Sequence, residues 1–341
     1  MKVLQFGLIF VVLLFLLVLP AIHPLTPATV EAFVDNPAPK TYVYKEIEGC
    51  KIHADVFQVP TSDPQPVILY IHGGALIMGS RTELTKSTEM QAQVGLFLDA
   101  GLTVVSIDYR LAPETRLPQI IEDLQDAYRW LRSKGPSEFN IDPDRIAVLG
   151  KSAGGYLTLM SGFCLEPRPK ALVPFYGYGD IIGDWYSKPD PFYRETEPLV
   201  SREEALSSVG KDPITEAYWP TVRSQFYLYT RQNGLWPREV AGFDPITESG
   251  KFAPYSPEDN VTADYPPTLF LHGDEDTDVP YELSVSMSKK LSEHGVWNRL
   301  ITMKGRGHGF DHGAASEPDV KAAMEEVIEF LRAHLAVSNE K

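Results

Sequence analysis

The chain has 341 residues, 43% hydrophobic and 23% charged, enough to bury a core without covalent staples. Only 2 cysteines argue against a disulfide scaffold. The 46 acidic and 31 basic residues leave a net charge of −15, a surface that repels phosphate backbones, so no nucleic acid is expected as a partner.

Residues 1–28 read as a signal peptide or an N-terminal anchor. Between positions 3 and 19 only Gln5 is polar, Lys2 supplies a positive start and Pro20 ends the run. That length is short for a bilayer span and suits the apolar region of a signal peptide, with Ala28 and Ala32 as cleavage points. The expectation is a secreted protein, or one tethered to a membrane through this segment. The sequon Asn260-Val261-Thr262 is compatible with secretion. Residues 29–40 read as a linker, within a stretch from 23 to 40 that holds four prolines.

Residues 41–58 predict a β-hairpin turning at Glu48-Gly49. Residues 67–71 form a short apolar run, as in a strand buried on both faces. A helix is expected over 83–99, stopped by Gly101, and a strand over 102–107. Ile121, Leu124, Ala127 and Leu131 recur at helical spacing and predict a helix over 118–133. A strand at 146–149, a helix at 153–164 and a strand at 171–176 follow. Then come a strand at 268–271, a helix at 281–294, a strand at 300–303 and a helix at 320–335. Repeated βα units with apolar strands imply an α/β fold, a mostly parallel sheet with helices on both faces. Sites in such sheets lie at the carboxyl ends of the strands. The catalytic domain is expected over 41–178 and 256–337.

The interruption at 179–255 holds Trp185, Trp219 and Trp236 beside Tyr186, Phe192, Tyr193, Tyr218, Phe226, Tyr227, Tyr229 and Phe243. Ser201 and Glu204 have capping-box spacing and predict a helix start. This aromatic-rich insertion is expected to be a lid that lines a substrate pocket. Cys50 and Cys164 read as two buried thiols, with a bridge between them left open.

Gly150-Lys151-Ser152-Ala153-Gly154 is a G-x-S-x-G that follows a strand and precedes a helix, as a nucleophile elbow requires. Its glycines allow a tight turn that leaves Ser152 strained and exposed. His72-Gly73-Gly74-Ala75 follows the strand at 67–71, where small residues let N–H groups face a developing oxyanion. Gly73, Gly74 and Ala153 are the expected donors, with His72 and Ala75 in support.

A serine nucleophile needs a base. His308 lies in a loop just past the strand at 300–303, and His312 is its rival. The orienting acid is sought after the strand at 268–271, where Asp274, Asp276 and Asp278 compete. Asp276 is the choice and Asp278 the second. The D-x-D-x-D run is not an EF-hand, because Val279 and Val285 stand where Gly and Glu are needed. The order Ser152, Asp276, His308 is that of α/β hydrolases.

Four segments together make the chain resemble the hormone-sensitive-lipase-like carboxylesterases of the α/β-hydrolase fold. They are His72-Gly-Gly-Ala75, Asp108-Tyr-Arg-Leu-Ala-Pro-Glu114, Gly150-Lys-Ser-Ala-Gly-Gly155 and Gly307-His-Gly-Phe310. The resemblance covers roughly residues 65–177 and 256–335. It implies that segment 108–114 braces the oxyanion loop, with Arg110 and Glu114 in support. Three departures stand out. Ala75 replaces the family's third glycine, which implies a stiffer loop and a narrower alcohol side. Lys151 precedes the serine where Asp or Thr is usual. The acid loop looks like that of prolyl-oligopeptidase relatives and feruloyl-type esterases, in which the residue matching Asp276 is the acid.

The resulting expectation is a serine carboxylesterase acting on short- to medium-chain acyl esters of small molecules, with no cofactor and no metal. The alternatives are a prolyl-oligopeptidase-like peptidase or amide hydrolase, and a non-catalytic ligand-binding protein on the same fold.

Overall fold

The computed structural model describes residues 36–218, 222–312 and 317–336. The expected signal peptide or anchor, most of the linker and Trp219 lie outside the described residues. Among the described residues no helix is long and apolar enough to cross a membrane.

Eight strands form one sheet: β1 Lys40–Ile47, β2 Cys50–Phe57, β3 Gln65–Ile71, β4 Thr103–Ile107, β5 Ile141–Lys151, β6 Ala171–Phe175, β7 Thr268–Gly273 and β8 Asn298–Met303. Their order is β1-β2-β4-β3-β5-β6-β7-β8. The β1/β2 and β2/β4 pairs are antiparallel and the pairs from β4 to β8 are parallel. The first hairpin turns at Glu48 and Gly49, both at positive φ (52° and 77°), as a tight two-residue turn demands.

The helices are α1 Thr88–Asp99, α2 Leu117–Phe139, α3 Ala153–Cys164, α4 Asp184–Ser187, α5 Pro191–Thr196, α6 Arg202–Leu206, α7 Val222–Asn233, α8 Trp236–Ala241, α9 Tyr281–Glu293 and α10 Pro318–Leu335. Strand β3 shows why both faces of the sheet are covered. Val67, Leu69 and Ile71 enter one core with α2 and α3, while Ile68 and Tyr70 enter a second with α1 and α10. With side chains alternating between two apolar cores, no strand position can be left polar without cost.

Two expected helices differ from their expected form by more than a residue or two at an end. The stretch 83–99 divides into a 3-10 turn, Arg81–Thr85, and α1. Each has its own serine cap: Ser80 accepts from the Thr82 N–H and Ser87 from the Met90 N–H. Helix α2 does not stop at 133 but runs through Pro136 to Asn140, which ends it at φ 51°. Gly135 leaves room for Ile141, whose Cγ1 would lie 2.8 Å from a β-carbon there, and Phe139 and Ile141 are buried. That burial outweighs the donor lost at proline. Strand β5 starts five residues earlier than expected, with Gln65 paired to Ile141 before the register shifts.

The insertion at 179–255 carries α4–α8. The capping box predicted at Ser201 is present, with the Glu204 N–H donating to Ser201 Oγ (3.2 Å) and the Ser201 N–H to Glu204 Oε2 (2.9 Å). Its aromatics divide. Trp185, Tyr186 and Trp236 form one group in which Tyr186 stacks on both Trp185 and Trp236, at 4.2 Å from the latter, and Tyr178, just before the insertion, meets all three edge-on. Cys50 and Cys164 are free thiols, partly rather than fully buried, and burial pushes the Cys164 thiol up to about 12.

The start of α3 sits against the end of β3 with no room for a side chain. A β-carbon on Gly154 would fall 2.1 Å from the Ile71 carbonyl oxygen. Gly154→Ala should therefore destabilise the chain by about 1–3 kcal/mol through forced backbone movement. Urea denaturation checks this, and an unchanged midpoint would contradict the packing argument.

Candidate active site

Strand β5 ends at Lys151, and the chain reverses at Ser152 into α3. Ser152 has φ 54° and ψ −119°, a conformation that costs a residue with a β-carbon on the order of 1–3 kcal/mol. The turn is tight because Gly150 lacks a side chain: a β-carbon there would lie 2.3 Å from the Gly154 oxygen. The Ser152 N–H donates to the Phe175 carbonyl of β6 at 2.9 Å, which fixes the turn to the next strand.

His308 comes from the loop after β8 and faces Ser152. Ser152 Oγ and His308 Nε2 are 3.0 Å apart, and His308 Nδ1 lies 2.7 Å from Asp276 Oδ2. A carboxylate can only accept, so Nδ1 carries the proton and Nε2 is free to accept from the serine hydroxyl. Asp276 is buried in the loop after β7. Its Oδ1 accepts from the N–H groups of Asp278 (2.8 Å) and Val279 (2.9 Å). His272, on β7, contributes a further contact to this carboxylate. Its Nε2–H donates to Asp276 Oδ2 (3.2 Å) and to the Val279 carbonyl (3.1 Å), while its Nδ1 accepts from Ser284 Oγ (2.7 Å). Burial opposes the charge on Asp276, but hydrogen bonds from His272, His308 and Val279 hold its carboxyl well below the usual range.

The rivals lie elsewhere. Asp274 is on the surface, paired with Lys304 at 2.8 Å. His312 lies 3.5 Å from Glu83 and 3.4 Å from the Tyr176 hydroxyl. Asp278 does reach His308, but at Nε2 (3.4 Å) rather than Nδ1. The three aspartates therefore diverge toward Lys304, His308 Nδ1 and the insertion, which explains why their D-x-D-x-D spacing does not make a cation loop. Burial works against a charged His308, yet Asp278 and Asp276 outweigh it and hold the imidazole above its ordinary value.

The loop after β3 lies beside Ser152. A β-carbon on Gly73 would be 3.0 Å from the Lys151 oxygen and 3.3 Å from Ser152 Cβ. Gly74 has φ 102°, and a β-carbon there would strike the Met78 oxygen at 2.1 Å. Ala75 and Leu76 follow at φ 57° and 61°. The Ala153 N–H is in the first turn of α3, where no carbonyl four residues back takes it up within the helix. His72 is buried beneath the loop, stacked on Tyr109 at 4.3 Å with Nδ1–H donating to the Gly73 carbonyl (2.8 Å), and burial lowers its pKa to about 4.

The two expected supports act differently. Glu114 accepts from Arg223 Nη1 (2.9 Å), and Arg223 of α7 also donates to the Ile77 (3.0 Å) and Ala112 (2.6 Å) carbonyls. Glu114 thus holds the 72–79 loop through an arginine of the insertion. Arg110 points away from it, toward Asp123 on α2 at 2.7 Å. Trp236 donates from Nε1 to the Ala75 carbonyl at 2.9 Å, a second tie from the insertion.

Lys151, noted in the sequence only as a departure, is fully buried. Its Nζ lies 2.5 Å from Asp311 Oδ2 and donates to Gln93 Oε1 at 2.9 Å. Asp311 also accepts from Gln93 Nε2 (3.0 Å) and the Tyr176 hydroxyl (2.7 Å). Lys151 adjoins the serine and Asp311 follows the histidine by three residues, so the pair joins the two loops. Burial opposes ionisation of Asp311, but Lys151 holds its carboxyl far below the usual range.

A cavity of about 440 Å³ opens at Ser152 and His308. Gly73, Ala75 and Met78 form one side, and Tyr193, Tyr218 and Tyr227 of the insertion another. Asp278, Glu83 and Lys86 are its charged lining apart from the groups already described.

A family model described as alpha/beta hydrolase fold matches residues 68–312, most of the chain. The chain belongs to the α/β hydrolase fold family. It is a hydrolase, and the hormone-sensitive-lipase-like resemblance stands. Among solved structures, this hydrolase is similar to a Staphylococcus aureus protein of unknown function (TM-score 0.70, 22% identity, 87% of this chain and 99% of that one). It is also similar to an esterase of Thermogutta terrifontis (TM-score 0.61, 21% identity, 89% and 96%). A thermostable carboxylesterase cloned from a metagenomic library matches with TM-score 0.63 and 23% identity, over 90% and 92% of the two chains. Among curated proteins, a non-reducing polyketide synthase of Aspergillus calidoustus is 31% identical over 94% of this chain. Another, of Preussia isomera, is 29% identical over 87% of it. The hydrolase spans only 14% and 15% of the length of these two relatives.

Two outcomes follow from this geometry. Lys151→Met leaves Asp311 charged and buried without its cation, so stability should fall by about 3–5 kcal/mol, and Lys151→Met with Asp311→Leu should recover most of it. Urea midpoints above about pH 5 check this, because the stabilisation from a depressed carboxyl exists above its unfolded value and fades on acidification. The raised His308 has the opposite sign for activity: a base must be neutral, so kcat/KM should fall on the acid side with a midpoint above about 6.5. A midpoint below that value would contradict the two-carboxylate environment.

Proposed function

We propose that this hydrolase is a serine carboxylesterase for short- to medium-chain acyl esters, with Ser152 as nucleophile, His308 as base and Asp276 as orienting acid. The observation that carries the reading is the continuous hydrogen-bonded series Ser152–His308–Asp276, at 3.0 and 2.7 Å, opening into one cavity. Ser152 Oγ attacks the ester carbonyl as His308 Nε2 takes its proton. The N–H groups of Gly73, Gly74 and Ala153 receive the oxyanion, and the glycine approach to Ser152 Cβ supports this assignment. His308 then gives its proton to the leaving alcohol, and water resolves the acyl-enzyme by the same steps in reverse. Asp276 holds the tautomer and stabilises the imidazolium. A pocket of about 440 Å³ favours small esters over long acyl chains. The esterases among the structurally similar proteins favour the same chemistry.

A thioester is the second acyl donor to try, because the chain is similar to a segment of polyketide synthases and the same serine can take an acyl group from sulfur.

The test is hydrolysis of p-nitrophenyl acetate, butyrate, octanoate and palmitate, a butyryl thioester and a butyryl anilide. Activity should peak at short chains, fall on the anilide, and drop on the order of 10⁴–10⁶ in kcat for Ser152→Ala. A loss smaller than tenfold would sink the assignment of Ser152. Preference for the anilide would move the reading to an amide hydrolase.

A further inference from the structure

The loop after β7 brings two carboxylates to His308, and the proposed mechanism uses one. Asp278 approaches the other side of the ring, with Oδ2 3.4 Å from Nε2, the nitrogen that faces Ser152. Its Oδ1 is fully engaged by the insertion. Tyr193 of α5 donates to it at 2.8 Å, as do Tyr227 of α7 and Arg231 Nη1 of α7, the latter at 2.5 Å. Arg231 is buried under the rings of Tyr186 and Tyr193, donates also to the Asp278 carbonyl (3.0 Å), and pairs with Asp190. Among the described residues the one polar group found near Oδ2 is His308 Nε2, which in the resting tautomer carries no proton to donate, and Asp278 lines the cavity. Burial opposes the charge, but His308 and then Arg231 hold the carboxyl below its usual range, and the guanidinium orients it while the other oxygen lies on the His308 side.

An alkyl chain entering this cavity takes water from Oδ2 and returns nothing. A hydroxyl or ammonium group on the substrate replaces the lost water with a charge-assisted hydrogen bond. Sites that bury such an acceptor discriminate strongly against ligands lacking the donor.

We infer that Asp278 is a specificity-determining residue, whose pocket-facing oxygen selects esters bearing a hydrogen-bond donor close to the scissile carbonyl over alkyl esters of the same size. The inference rests on the serine-esterase reading above and names its substrate class.

The experiment compares matched ester pairs on the alkaline plateau of the wild-type kcat/KM profile. On the acyl side, p-nitrophenyl 3-hydroxybutyrate and 3-aminobutyrate are set against 3-methylbutyrate. On the alcohol side, 2-hydroxyethyl butyrate is set against propyl butyrate. In the wild type, kcat/KM should favour the donor in at least one pair by about tenfold or more, and the hydroxyl and ammonium arms show whether charge adds to it. Asp278→Asn keeps an oxygen for Arg231 and the tyrosines but turns an NH₂ group to the pocket, so the preference should vanish or invert. Asp278→Leu should also abolish it, and Asn remains informative if Leu fails to fold. Equal rates within each pair, or a donor preference that survives Asp278→Asn, overturns the inference while Ser152-dependent hydrolysis keeps the esterase reading standing. No Ser152-dependent hydrolysis of any ester removes both.

Discussion

Lys151 and Asp311 form an ion pair with water excluded, and it joins the loop that carries Ser152 to the loop that carries His308. The serine turn is anchored at the end of β5. The histidine loop leaves β8, three strands away in the sheet. No ladder hydrogen bond links them directly. A charge pair between the residue before Ser152 and the third residue after His308 supplies that link, with Gln93 of α1 and Tyr176 completing its hydrogen bonds. Such a pair contributes little net stability against an apolar replacement, but a strong penalty applies when one member is left alone. Its value is therefore geometric: the Ser152–His308 distance depends on it more than the fold does.

The sheet was legible in the sequence because its strands are buried twice. Runs such as 67–71 have no polar alternative, and their spacing with helical patterns leaves few topologies. The serine turn was legible for a related reason: only glycine tolerates the backbone approaches measured at positions 150 and 154. His308 over His312 and Asp276 over its neighbours also agree with the observed geometry, since loop position after a strand decides which side chain can swing over the sheet edge.

What the sequence could not convey is pairing across the fold. Nothing local distinguishes Lys151 and Asp311 from surface charges, because the partner lies 160 residues away and the burial that makes them matter is a property of the assembled cores. Arg223 and Arg231 were hidden for the same reason, inside a segment beyond the stretches that carry the resemblance. The acid loop shows the effect most clearly. Asp276 and Asp278 are two residues apart in an irregular turn, and the rotation between them sends one to Nδ1 and the other to Nε2. The resemblance gives Arg110 a supporting role only, and its guanidinium pairs with Asp123 of α2.

The insertion reaches the candidate active site at three separate loops. Arg223 holds the carbonyls of Ile77 and Ala112, Trp236 holds that of Ala75, and Arg231 grips Asp278. These ties give the segment a standing that its position between β6 and β7 does not suggest. It is not an appendage that evolution could exchange freely between related sheets, as surface loops usually are. Any replacement must arrive with its own cations for Glu114 and Asp278, so new substrate ranges are more readily reached by single changes on its tyrosines than by trading the segment whole.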